Sequence, residues 1–209
     1  WVREPGVALN GVKFEPGTAE VVECETGENY RVEAFQDIID LGLDFNNAHV
    51  QPTGAYHYHG APTSVIEGFD EGEDLVHVGF AHHGFPVYYK YAYSDASDSN
   101  SSVVAMSSSY QLKSGSRGGD GVTAPCGMHD GVYSNDYKYI FDLGTLDEAN
   151  GRTGVTTEYP AGTYYYYYYV ITDDFPSIPR FFRGTPSQDF KIGMEYERVL
   201  LCLNDFVLI

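Results

Sequence analysis

The sequence predicts an all-β protein, a β-sandwich-like single domain with long Gly/Ser-rich loops and at most short helices. Three observations predict it. Helical periodicity is scarce. Short β-rich runs recur between Gly, Pro, Asn and Asp. The chain also sets 19 Tyr and 12 Phe among 23 Gly, a composition suited to half-buried pleated surfaces. At 209 residues it can bury a sizeable core, as one large all-β domain or as two smaller ones.

Taken in order, a first strand is expected over 19–24. Residues 32–43 carry the best helical pattern, with Ala34, Phe35, Ile38, Ile39 and Leu41 on a partial three-four spacing that Gly42 breaks. Further strands are expected at 56–59, 75–81, 85–93, 137–141, 162–172 and 198–203. Residues 94–109 are serine-rich and read as a surface loop, with Asn100-Ser101-Ser102 fitting an N-glycosylation acceptor. Residues 113–131 read as a second, glycine-rich loop. Six consecutive tyrosines at 164–169 place three rings on each face of a strand. One face packs the core; the other is an aromatic surface for sugar or another subunit, or a second buried side.

The formal charge of −18 argues against nucleic acid and against anionic membrane surfaces, and it suits cations. No stretch is long and apolar enough for a membrane span. Glu67, Asp70, Glu71, Glu73 and Asp74 cluster as a solvated acidic loop, with weak Ca²⁺ binding as the alternative, since no EF-hand spacing is present. Cys24, Cys126 and Cys202 permit one internal bridge at most. Opening at Trp1 rather than Met, the chain is expected to be a mature or trimmed product.

The chemistry concentrates in Tyr56-His57-Tyr58-His59. On a strand, alternate residues share a face, so His57 and His59 stand side by side, roughly 6–7 Å apart at Cβ. Two imidazoles can close from there onto one metal with bonds near ~2 Å. His49, just ahead of the Pro52-Thr53-Gly54 turn, can fold back as a third, and Asp44 and Asn46 are candidate ligands or orienting partners. The expected cofactor is Zn²⁺ or Cu at His49, His57, His59 and Asp44. Elsewhere, Cys126 and His129 read as a chance pairing. His77 reads equally as a hydrogen-bonded sheet residue or a ligand, and only one of the adjacent His82 and His83 can join a given site. Arg152 and Arg180 are expected as ion-pair anchors beside Asp147, Glu148, Asp173 and Asp174.

Several blocks resemble the YHYH-domain family of bacterial, often secreted or surface-attached, proteins. They are 6–12, 16–20, 46–62 (NNAHVQPTGAYHYHGAP), 84–88, 112–115 and the stretch 146–184 with LDEANGRTGV, EYPAGTY, TDDFP and IPRFFRG. The resemblance spans most of 6–186. It implies an extracellular or cell-surface β-rich domain and no established reaction. It also implies cysteines where this chain has Ala149 and Phe181, so packing is expected to replace a bridge, with Phe181 and Phe182 partly buried near Asn150. His82-His83 and the unbroken tyrosine run depart from the family pattern. The domain is expected over 1–190, leaving 191–209 as an apolar β tail.

That tail is strongly apolar for so acidic a chain. Val199, Leu201, Leu203, Phe206 and Leu208 either complete the chain's own sheet or add a strand to a neighbouring copy. HExxH, G-x-S-x-G and P-loop patterns are absent. The sequence therefore favours a non-enzymatic, self-assembling extracellular subunit, a homo-oligomer or filament with a histidine metal site. A metal-dependent enzyme with Asp44 or Glu67 as base, and a carbohydrate-binding domain using its tyrosines, are the alternatives.

Overall fold

The computed structural model describes residues 4–69, 72, 74–160, 166–185 and 187. The tail residues Val199, Leu201, Leu203, Phe206 and Leu208, with Cys202 and the strand expected at 198–203, lie outside them. The strands are β1 (Gly6–Ala8), β2 (Lys13–Phe14), β3 (Val21–Glu23), β4 (Asn29–Arg31), β5 (Ala48–Val50), β6 (Tyr56–Tyr58), β7 (Val76–Ala81), β8 (Pro86–Tyr89), β9 (Tyr91–Tyr93), β10 (Val103–Ala105), β11 (Tyr110–Leu112), β12 (Tyr137–Tyr139), β13 (Gly151–Gly154) and β14 (Tyr166–Ile171). A single helical turn, α1 (Thr63–Ile66), and a 3₁₀ turn at Ser134–Asp136 complete the set among the described residues. The protein is all-β.

Eight strands form one sheet in the order β13-β14-β8-β7-β1-β2-β6-β5, and the other six form three two-stranded sheets, β3-β4, β9-β10 and β11-β12. β14 with β8 and β2 with β6 run parallel; the other neighbours are antiparallel. β14 is buried on both faces. Tyr169 and Ile171 join one core cluster with Phe14, Tyr58, Val76 and Val78. Tyr168 and Val170 face a second cluster with Tyr88, Ala92 and Met106, which the β9–β10 hairpin covers. Tyr168 and Tyr169 are therefore core, and Tyr167 packs partly buried against the first cluster, rather than forming a free aromatic platform.

Across the second face, cross-strand partners run from Tyr88 and His77 through Phe80, Val7 and Lys13 to His57 and His49. The face turns from apolar to polar along that row. The opposite face stays apolar throughout, which fixes the register of the whole sheet.

The helix expected at 32–43 does not form. Gln36 closes a local turn instead: its Oε1 accepts from the Ile38 and Ile39 N–H groups, and its Nε2 donates to the Ile39 carbonyl. Such side-chain bonds compete with helical ones, and Phe35 and Ile38 remain exposed, so no buried face rewards a helix. The strand expected at 85–93 breaks in two at Lys90, whose φ of 63° turns β9 out of the sheet. The serine-rich segment is not all loop, because β10 pairs with β9 and Ser109 is fully buried. Residues 113–131 are irregular and wrap around buried Arg117, which donates to both oxygens of Asp136, to Asp130 and to the Cys126 carbonyl.

Arg180 is a buried ion-pair anchor, as expected, with Glu33 as its acid. Its Nη2 donates to Glu33 Oε2 at 2.8 Å, and its guanidinium also reaches the Pro176 and Ile178 carbonyls. Ser134 donates to the same Glu33. Arg152 donates to the Tyr93 carbonyl, and it is Arg183 that pairs with Asp147 at 2.7 Å. Ala149 is buried in the first cluster, and Phe181 and Phe182 pack partly buried against that same cluster.

Two outcomes follow from these contacts. Arg180→Met leaves Glu33 buried without its cation and should cost about 3–5 kcal/mol, and adding Glu33→Gln should recover part of it. Urea unfolding of both variants checks this; equal losses in single and double variants would contradict it. The second concerns His83, whose Nε2 meets the Tyr169 hydroxyl at 2.8 Å and whose ring stacks on that tyrosine. Burial, then the neighbouring His82, pushes its pKa down to about 4. The unfolded chain then takes up a proton near pH 6.5 that the folded chain refuses, so stability is full above pH 6.5 and falls as pH drops toward 4. His83→Gln should flatten that fall in metal-free denaturation curves, and an unchanged slope would contradict it.

Candidate metal centre

The site is built by the hairpin of β5 and β6. Its turn closes through Gln51 N–H to the Ala55 carbonyl and Gly54 N–H to the Gln51 carbonyl, and Gly54 sits at φ 85°, where glycine carries no Cβ penalty. This turn sets His49 directly opposite His57. His59 continues the ladder one step past β6, its N–H donating to the Asn47 carbonyl at 2.8 Å. Tyr56 and Tyr58 face the other way. Tyr58 is buried against Phe14, with its hydroxyl accepting from Asn10.

Three Nε2 atoms converge as a result. His57 to His59 is 3.0 Å and His59 to His49 is 3.1 Å. Among the described residues this is the one group of three His, Cys, Asp or Glu whose ligand atoms all lie within 4.8 Å. Bonds of ~2.0–2.1 Å to a shared ion would place cis nitrogens ~2.9 Å apart at right angles and ~3.3–3.4 Å apart in a tetrahedron. The His57–His59 and His59–His49 spacings both fall between the two.

The outer nitrogens fix the tautomers. His49 Nδ1 reaches the Leu41 carbonyl at 2.6 Å and His57 Nδ1 the Ala55 carbonyl at 3.3 Å, so both carry their proton outward and present a bare Nε2 inward. Of two bare nitrogens, one N–H from His59 can satisfy only one well. His59 Nδ1 is itself buried without a partner at full hydrogen-bond geometry, and the Pro16 carbonyl is the backbone group that favours its protonation. A divalent ion would satisfy all three inward lone pairs at once. Burial, followed by the neighbouring rings of His57 and His49, pushes His59 down to about 4. Burial also lowers His57, against the pull of the Ala55 carbonyl and Glu15. These two rings are therefore neutral at pH 7, the form that ligates.

Asp44 stands outside this group. Its Oδ1 accepts from the Asn46 and Ala48 N–H groups and its Oδ2 from the Tyr56 hydroxyl. Partial desolvation opposes its ionisation, but these hydrogen bonds hold the carboxyl below its usual range. The Asp44 N–H also donates to the Ala48 carbonyl. Asp44 thus covers the outer edge of β5, the last strand of the sheet, and holds His49 in place. Nor do the other candidates join. His129 binds the Gly115 carbonyl, His77 the Gly79 carbonyl, and His82 and His83 pack around Phe182. Glu67 and Asp74 are exposed, while Asp70, Glu71 and Glu73 lie outside the described residues.

Three neighbours of the cluster were not singled out in the sequence: Lys13, Glu15 and Gln51. Lys13 pairs across to His57 in the parallel β2–β6 contact. Glu15 is only 2 % exposed and bonds Lys13 and Gln51 at 2.7 Å each. Their signal is the alternation Lys13-Phe14-Glu15 and the position of Gln51 two residues after His49, both readable only once the strands are paired.

The profile of the YHYH protein family matches residues 2–184, which include all of these positions. No curated protein and no solved structure matches the chain. Asp44→Ala should lower stability by about 1 kcal/mol, the scale of a lost side-chain cap. An unchanged denaturation midpoint would show that the β5 edge does not need the carboxylate.

Proposed function

The chain belongs to the YHYH protein family, and from that premise we propose that it is an extracellular or cell-surface β protein that binds one Zn²⁺ or Cu²⁺ ion through His49, His57 and His59. The convergence of three imidazole nitrogens with too few protons between them carries the reading. Neutral imidazoles suit Zn and Cu rather than Ca²⁺ or Mg²⁺, which take oxygen ligands. The role is one of binding and structure. The ligands sit on paired strands, and Asp44, the base a catalytic reading would use, already accepts hydrogen bonds from its own turn and from Tyr56. In this reading the ion ties the two strands of the edge hairpin to one another, and the apolar tail 191–209 serves association between copies.

Isothermal titration of chelator-treated protein should give one equivalent of Zn²⁺ or Cu²⁺. At a free ion concentration of 100 Kd the ion should add about 2.7 kcal/mol to stability. His57→Ala with His59→Ala should abolish both effects while far-UV circular dichroism is unchanged. Equal binding by the double variant, or none by the wild type, would overturn the proposal.

A further inference from the structure

Resting on the metal reading of the three-histidine centre, we propose that Glu15 is a positioning carboxylate that sets the centre's affinity for a divalent cation, and that Lys13 opposes it. Lys13 lies opposite His57 in the parallel pairing of β2 with β6. The Glu15 N–H then donates to the Tyr58 carbonyl at 2.8 Å, extending that ladder by one step. Two residues apart, Lys13 and Glu15 share the sheet face of the imidazoles. Glu15 is also held from both sides, by Lys13 Nζ at 2.7 Å and Gln51 Nε2 at 2.7 Å. Lys13 is drawn away in turn by Glu4 at 2.6 Å.

The charges explain why this matters. Three neutral rings and a divalent ion bring two positive charges into a site where His57 and His59 are each 2 % exposed. Desolvating such charge is costly unless an opposite charge lies close by. Glu15 is the buried carboxylate on this face, where solvent and salt screen it little. Its carboxylate lies on the histidine face one step along from the Lys13–His57 pair, so its charge favours a cation there, while the Lys13 ammonium disfavours one. Glu15 is not in the group whose ligand atoms lie within 4.8 Å of one another, so it acts on the ion through space rather than as a fourth member of that group.

Titration with Zn²⁺ of the wild type, Glu15→Gln and Lys13→Met tests the inference. Both variants lose the same Lys13–Glu15 ion pair, so a purely structural role would shift them in the same direction. The electrostatic role shifts them oppositely. Glu15→Gln should weaken binding about 10-fold or more, within the range typical of groups that support metal ligands from outside. Lys13→Met should tighten it about 3-fold or more, as expected for removing one like charge at partial screening. Equal affinities for wild type and Glu15→Gln, or weakening in both variants, would overturn the proposal while leaving the metal reading intact. A wild type that binds no Zn²⁺ would overturn both. Should Glu15→Gln fail to fold, Lys13→Met decides alone: tighter binding supports the inference, and unchanged or weaker binding overturns it.

Discussion

The candidate site depends on one constraint, the register that sets His49 directly opposite His57 on the last two strands of the large sheet. Because a strand alternates its faces, this pairing sends Ala48 and Tyr58 into the first core cluster and all three histidines to the other side. Slipping the register by one residue would bury imidazoles among Phe14 and Ile171 and expose Tyr58 to water. The apolar core thus enforces the polar cluster. Asp44 secures the same register from outside, by bonding the free edge of β5.

Long-range anchoring elsewhere falls to a few buried ion pairs and aromatic stacks rather than to long strands. Most strands have three residues or fewer, too short to hold a sheet by ladder bonds alone. Arg180 with Glu33 joins segments 147 residues apart. Arg117 with Asp136 orders the irregular stretch before β12. In a chain carrying 12 basic residues against 30 acidic ones, placing two arginines in buried pairs shows how closely the interior charges are matched.

The fold class was legible because short runs, glycine and aromatics all favour pleated structure. So were β7, β8 and β14, whose runs are long and apolar. β1, β2 and β13 were not legible as strands, since two to four residues carry too little pattern and their stability comes from neighbours distant in sequence. The helical pattern at 32–43 misled because periodicity reports a potential face, and here nothing packs against it. At the site, His57 and His59 could be read from the two-residue period and His49 from its place before the turn. Glu15 could not, because the parallel contact of β2 with β6 is invisible until the topology is known. Asp44 carried the right chemistry for a ligand, yet its short side chain is satisfied by its own turn.

The three imidazoles of His49, His57 and His59 are placed to hold one metal ion. Anomalous diffraction from crystals of chelator-treated protein soaked in Zn²⁺, recorded above and below the zinc edge, tests it most directly. A single strong peak is expected ~2.0–2.1 Å from Nε2 of His49, His57 and His59. No peak there, or peaks only at exposed carboxylates, would contradict it.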